Sequence, residues 1–306
     1  FKLNGGSAKV ISTLLSGIFL ITFKQSPSTT LFISEFKNSL ETPKTPDRAK
    51  LEKLLQGVSE YLKNKEGVPV DQDCRLDPWA FQGIYSEQEI KEDQFKAEQH
   101  KNLAESQESK TPADKESQMI GEVAEELTTI VWNKVLRDKF VTVRTTLYDD
   151  TKNGVDHIII EKSTGKTICA IDDVSAITGL TLSRKKIRAQ EIMKRGGATL
   201  KYGLVVDKNK RFSLARWQKE LPYFYLPLAG SEVDKLVAEI NDSTQETSEI
   251  EKKLVAYQIQ VIREQVEEQQ KLLRNQVVLN SNQAQKLNKI AEIFNDQLIA
   301  SIIGSR

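Results

Sequence analysis

The stretch Val155–Ala176 constrains the fold most. It predicts a β-hairpin in which two short strands, 155–162 and 166–174, flank the loop Ser163-Thr164-Gly165. A three-residue loop ending in Gly predicts a type I turn followed by a left-handed residue, a position where Gly carries no Cβ penalty. Counting outward from Lys162 opposite Lys166 pairs Ile160 with Ile168, Ile158 with Ala170 and Asp156 with Asp172, all on one face. That face is an apolar patch ending in two opposed carboxylates. Opposed like charges destabilise a sheet, and a metal ion is a common reason to tolerate them. His157 and Cys169 fall on the other face, where packing is expected.

The charge balance is 44 basic against 43 acidic residues, a net charge of +1, so attraction to nucleic acid has to be local. Two Cys and two His are too few for a disulfide framework or a Cys/His metal site, and a reducing, cytoplasmic setting is expected. Residue 1 is Phe, so a start further upstream is expected. The apolar run Val10–Phe23 has 14 residues, fewer than the roughly 20 of a membrane span, and no small-x-small cleavage site follows. A buried helix or strand is the expectation there, and no membrane partner is implied.

The chain divides into four stretches. Residues 1–85 form a poorly defined region with an amphipathic helix at about 45–66, where Leu51, Leu54, Leu55, Val58 and Leu62 recur at helical spacing. Residues 86–117, with nine acids and five lysines, read as a polar linker or a loosely solvated helix. Residues 117–241 predict an α/β domain, a mixed sheet with flanking helices. Its elements run as a helix (117–138), three antiparallel strands, a helix (183–195), two strands (199–206 and 224–228) around a short helix at Leu214–Lys219, and a helix from Ser231. Trp132, Trp217 and Tyr223-Phe224-Tyr225 are expected in its core. Residues 244–303 predict a long helical, coiled-coil-like extension, with Asn280-Ser281-Asn282 as a turn.

A helix acid, a hairpin with one carboxylate on each strand and a following helix together resemble the core of the PD-(D/E)xK nuclease superfamily. The resemblance implies a restriction-endonuclease-like core binding Mg²⁺ and cleaving phosphodiesters. Gly154-Val155-Asp156 and Ala170-Ile171-Asp172 match its two metal-binding positions. Glu126, or Glu122 one turn earlier, would be the helix acid. The lysine two residues past the second carboxylate is replaced by Val174, which implies weakened catalysis. Lys185 or Lys186 on the next helix could supply a displaced cation, and Lys186 is assigned that catalytic role.

Between Arg184 and Lys201 seven basic residues face only Glu191, a local charge of +6. Arg184, Lys185, Arg188, Lys194 and Arg195 are therefore expected to contact a phosphate backbone. Two functions follow: a divergent, weakened or inactive metal-dependent nuclease-like domain, or a non-catalytic protein that self-associates, or binds a helical partner, through its C-terminal helices.

Overall fold

The computed structural model describes residues 47–105, 112–207, 209, 211–274 and 281–304. All of them belong to one compact unit. The run Val10–Phe23 lies outside the described residues. Among the described residues no helix is long and apolar enough to cross a membrane.

Helix α1 (Arg48–Tyr61) starts where the Asp47 side chain accepts from the Lys50 amide, and a π-helical turn (Leu62–Glu66) carries it to Gly67 at φ 70°. Its leucine stripe is buried. Helix α2 (Glu87–Glu105) occupies most of the polar stretch. Three residues on one side hold it down. Ile90 and Ala97 are buried, and Asp93 accepts from the Tyr202 hydroxyl at 2.7 Å and pairs with Lys201. The segment is thus a docked helix, because a few well-placed contacts stand in for a continuous apolar stripe. Phe81 and Tyr85, on and after the 3-10 turn Pro78–Gly83, pack on Tyr202 in the same cluster.

Helix α3 (Pro112–Val135) leads into strands β1 (Phe140–Arg144), β2 (His157–Glu161) and β3 (Lys166–Val174). After helix α4 (Gly179–Lys194) come β4 (Ala198–Val206), β5 (Phe212–Leu221) and β6 (Tyr223–Pro227). The main sheet runs β1-β2-β3-β6, antiparallel except for the parallel pair β3–β6, while β4 and β5 form a separate antiparallel ribbon. The region Leu214–Lys219, expected as a helix, therefore lies in strand β5. Asp207 makes the turn, its side chain accepting from the Asn209 and Arg211 amides, and the returning chain pairs with β4.

The β2–β3 hairpin has a loop one residue longer than the sequence implies, 162–165 in place of 163–165. Glu161 rather than Lys162 pairs with Lys166, and Gly165 takes φ 69°. A bulge at Ile159/Ile160 then shifts the register back, so that Ile160 opposes Thr167 while Ile158 opposes Ala170 as expected. Lys162 leaves the hairpin because its amide donates to the Lys139 carbonyl and its ammonium pairs with Glu66 at 2.5 Å.

Helix α5 (Gly230–Glu239) precedes α6 (Glu249–Arg274), α7 (Ser281–Ile293) and α8 (Asp296–Gly304). The C-terminal part is helical, as its apolar spacing predicts. It packs on its own chain, along α3 and β6. Ile250, Leu254, Val261, Leu287, Ile290, Phe294 and Leu298 are all buried, which removes the apolar drive for self-association read from these stripes. Phe294 meets Trp132 and Phe140 with ring centroids 5.9 and 5.7 Å away, and Lys134 and Glu251 form a buried ion pair. At the open edge of β6, Gln265 accepts from the Tyr225 amide (3.1 Å) and donates to its carbonyl (2.7 Å), and Gln269 donates to the Tyr223 carbonyl (2.8 Å).

Candidate functional site

Alternation along β3 turns Asp172 and Asp173 to opposite faces of the sheet. Lys185 of α4 reaches Asp172, while Thr128 of α3 donates to Asp173 at 2.8 Å, so α4 covers one face and α3 the other.

The β2–β3 ladder ends at the pair His157–Ile171, and Asp156, the residue before β2, feels the charge of Asp172 on β3. The Asp156 amide donates to the Ile171 carbonyl (2.8 Å), and its Oδ2 accepts from the Asp173 amide (2.7 Å). Asp172 accepts from the Tyr223 hydroxyl at 2.5 Å and from the Lys185 ammonium. Asp156 and Asp172 are 6% and 1% exposed, and the Lys185 side chain, at 30%, is the partly open member.

The electrostatics follow from this crowding. Burial, then the charges of Glu125 and Asp172, push the Asp156 carboxyl well above the usual range. Burial acts against the Lys185 ammonium, yet the two aspartates raise its pKa above the ordinary lysine value. Burial also raises the Tyr223 hydroxyl, which stays a donor to Asp172. Of the two aspartates, Asp156 is the one whose ionised form burial and its acidic neighbours disfavour.

Other expected residues fall differently. Glu126 points away from the aspartates into a cavity of ≈ 560 Å³ and is held by Arg48 through two hydrogen bonds of 3.0 Å. Its neighbour Glu125 is the helix acid whose charge acts on Asp156, and it pairs with Arg144 (2.5 Å) and Arg75 (3.4 Å). Glu122 also lines the Glu126 cavity. Lys186 faces the charge of Glu268 on α6, so the ammonium on the aspartates is that of Lys185. Arg188 donates to the Asn153 carbonyl at 3.1 Å and packs on Gly154, where a Cβ would lie 1.8 Å from its guanidinium. Gly154 also has φ 60°, so both the turn and Arg188 require glycine. Arg184, Lys194 and Arg195 are exposed on α4. Val174 is 2% exposed, and its carbonyl accepts from the Leu228 amide.

Asp149 and Asp150 do more than turn the chain. Asp149 accepts from the Lys201 and Tyr202 amides (2.8 and 3.0 Å) and from Asn153 and Thr146, anchoring β4. Burial pushes its carboxyl up to about 6. Asp150 pairs with Arg75 at 3.0 Å.

The opposite face carries a closed polar chain. Trp132 donates to Gln258 (2.6 Å), Gln258 to Thr128 (3.1 Å) and Thr128 to Asp173. His157 Nδ1 lies 2.7 Å from Asp173 Oδ2, off the hydrogen-bonding direction, and its Nε2 lies 2.8 Å from the Thr129 hydroxyl.

By donor type the acidic pair suits a hard divalent cation. Mg²⁺ takes one or two carboxylates and completes its shell with water and phosphate oxygens. Among the described residues no group of three or more His, Cys, Asp and Glu that could hold a metal ion is present.

The fold and this site together define a mixed α/β protein with a buried acidic pair under a basic helix. No family model, curated protein or solved structure matches the chain.

Proposed function

We propose that the chain is a divergent, metal-dependent nuclease-like domain in which Lys185 supplies, from α4, the cation that the third motif lacks at Val174. The Lys185 ammonium on the Asp172 carboxylate, with Asp156 beside it, carries this reading. Support also comes from the element order, a helix, three antiparallel strands, a helix and, after the β4–β5 ribbon, a strand parallel to β3, which is in keeping with the core implied by the motifs.

Mg²⁺ bound at the pair would polarise a phosphate and lower the pKa of a coordinated water. The residues have separate tasks. Tyr223 fixes the Asp172 carboxylate through its hydroxyl, and the Asp173 amide fixes Asp156. Lys185 holds positive charge where negative charge develops on the phosphate. Arg184, Lys194 and Arg195 offer contacts to a nucleic-acid backbone without reading its bases. Turnover is slow, because Lys185 has to leave its ion pair to admit phosphate.

Calorimetric titration with Mg²⁺ or Mn²⁺ should give a binding heat that Asp156→Ala abolishes, and cleavage of plasmid DNA should follow the same dependence. Lys185→Met should lower cleavage by about 10²–10³-fold, the loss typical of one charge-stabilising donor, while metal affinity persists. Lys186→Met should leave the rate unchanged. Absence of a metal heat in the wild type, or equal losses from the two lysine variants, overturns the reading.

A further inference from the structure

Trp217 sits outside the core expected for it. It is 42% exposed at φ 53° within β5, a left-handed conformation costly for a bulky residue. The cause lies across the ribbon. Lys201 would oppose Trp217, but the Lys201 amide donates to Asp149 (2.8 Å) and its carbonyl accepts from the Tyr85 hydroxyl (2.6 Å). The ladder accordingly runs from the pair Leu200–Gln218 to the pair Tyr202–Arg216 and skips Trp217. Two tertiary hydrogen bonds thus hold an indole outward on the solvent side of the ribbon.

Its surroundings are cationic. From Ala198 to Leu221 the chain has six basic residues against Asp207 and Glu220, and Arg211, Arg216 and Lys219 are exposed on or beside β5. The C-terminal residues of α4, Lys194 and Arg195, are exposed just before β4 begins. Tyr223, which donates to Asp172, lies six positions after Trp217. An extended chain of that length spans at most about 20 Å. That is roughly six nucleotides at about 3.4 Å of rise per strand.

We propose that the outer strand of the β4–β5 ribbon binds a single nucleic-acid strand, with the Trp217 indole stacked on an unpaired base. Exposed cations meet the phosphates, and the indole meets a base face that a duplex keeps stacked inside. The proposal deepens the nuclease-like reading by naming single-stranded nucleic acid as the substrate class. It rests on that reading only for where the cleaved phosphate lies.

The test is fluorescence anisotropy on the full chain without divalent metal, using labelled oligodeoxythymidylate of roughly 20 nucleotides and a duplex of equal length. Wild type should bind the single strand more tightly than the duplex. Trp217→Ala should weaken single-strand binding by about 5–150-fold, the range for one stacked base, and leave the duplex unchanged. Trp217→Gly, which accepts the positive φ without strain, should show the same loss with an unaltered melting temperature, and Trp217→Phe should restore most of the affinity. Single-strand binding indifferent to Trp217, or equal losses for single strand and duplex, overturns the proposal. If Trp217-dependent binding holds while no metal heat is found, the ribbon stands and the nuclease-like reading falls. Metal-dependent cleavage with binding indifferent to Trp217 overturns the ribbon alone.

Discussion

Asp172 and Asp173 are adjacent in sequence and opposite in circumstance. Asp173 belongs to a closed set, in which Thr128 donates to it, His157 lies 2.7 Å away, and the chain of contacts ends at Gln258 and Trp132 inside the helical layer. Asp172 shares its face with a second carboxyl held above its usual range and with an ammonium that is partly open to solvent. On the first side Thr128 and the His157 ring enclose Asp173 among buried groups of α3 and β2. On the second side two carboxyls share one lysine and one of them is held above its usual range, a perturbation of the kind that clusters at functional sites. The contrast separates function from architecture more sharply than residue type, since both sides use buried aspartates.

The largest expected effect breaks the structural side. Asp173→Ala strands His157 and Thr128 in the interior, and urea denaturation should show a loss of about 3–5 kcal/mol, the usual result of removing one partner of a buried pair. A loss no larger than that of an exposed aspartate would mean that the two faces are equivalent.

The next effect is in the pH dependence of the other face. Asp156 has a folded pKa above its unfolded value, so its contribution to stability is fully present below the unfolded pKa and is lost as pH rises through the folded one. Asp149, raised to about 6, acts with the same sign, which places the decline between about pH 4 and pH 6 and above. Unfolding free energy measured across that window should fall with rising pH. Asp156→Asn should make the slope shallower by up to about 1.4 kcal/mol per pH unit, one proton's worth. An unchanged slope would remove Asp156 as its source.

The smallest effect sharpens the comparison. Asp172→Asn relieves repulsion on Asp156, keeps an acceptor for Tyr223 and leaves Lys185 able to reach water. Its loss of stability should be smaller than that of Asp173→Ala, in which no acceptor remains. The same variant should lose the Mg²⁺ heat, so its effect on binding would outweigh its effect on folding.

The acidic hairpin was legible because alternating residues and a glycine turn determine which side chains share a face. Its bulge was not legible, since Lys162 leaves the ladder for Lys139 and Glu66, partners far off in sequence. Beyond the bulge the register is the expected one, Ile158 opposite Ala170, because the bulge cancels the longer loop. Glu125 could not be told from Glu126, since α3 is buried on nearly every side from Val123 to Asn133 and its pattern selects no face. Tyr223 read as core because an aromatic run carries no sign of where one hydroxyl points. The helix α2 looked unable to dock, and Asp93 supplies the reason it does, by pairing with Tyr202 and Lys201 from a different part of the chain.

The glutamine contacts on β6 obey a commensurability of two lattices. Four helical residues rise about 6 Å and two strand residues about 6.6 Å, so Gln265 and Gln269 fall in step with Tyr225 and Tyr223 as the two elements run in opposite directions. A side-chain amide, with one donor and one acceptor, then imitates the peptide group of a fifth strand and ends the sheet. The imitation reads only main chain. These contacts therefore do not depend on which side chains β6 carries, whereas a single-residue slip of α6 would put the amides out of step and leave an open template for another copy to extend.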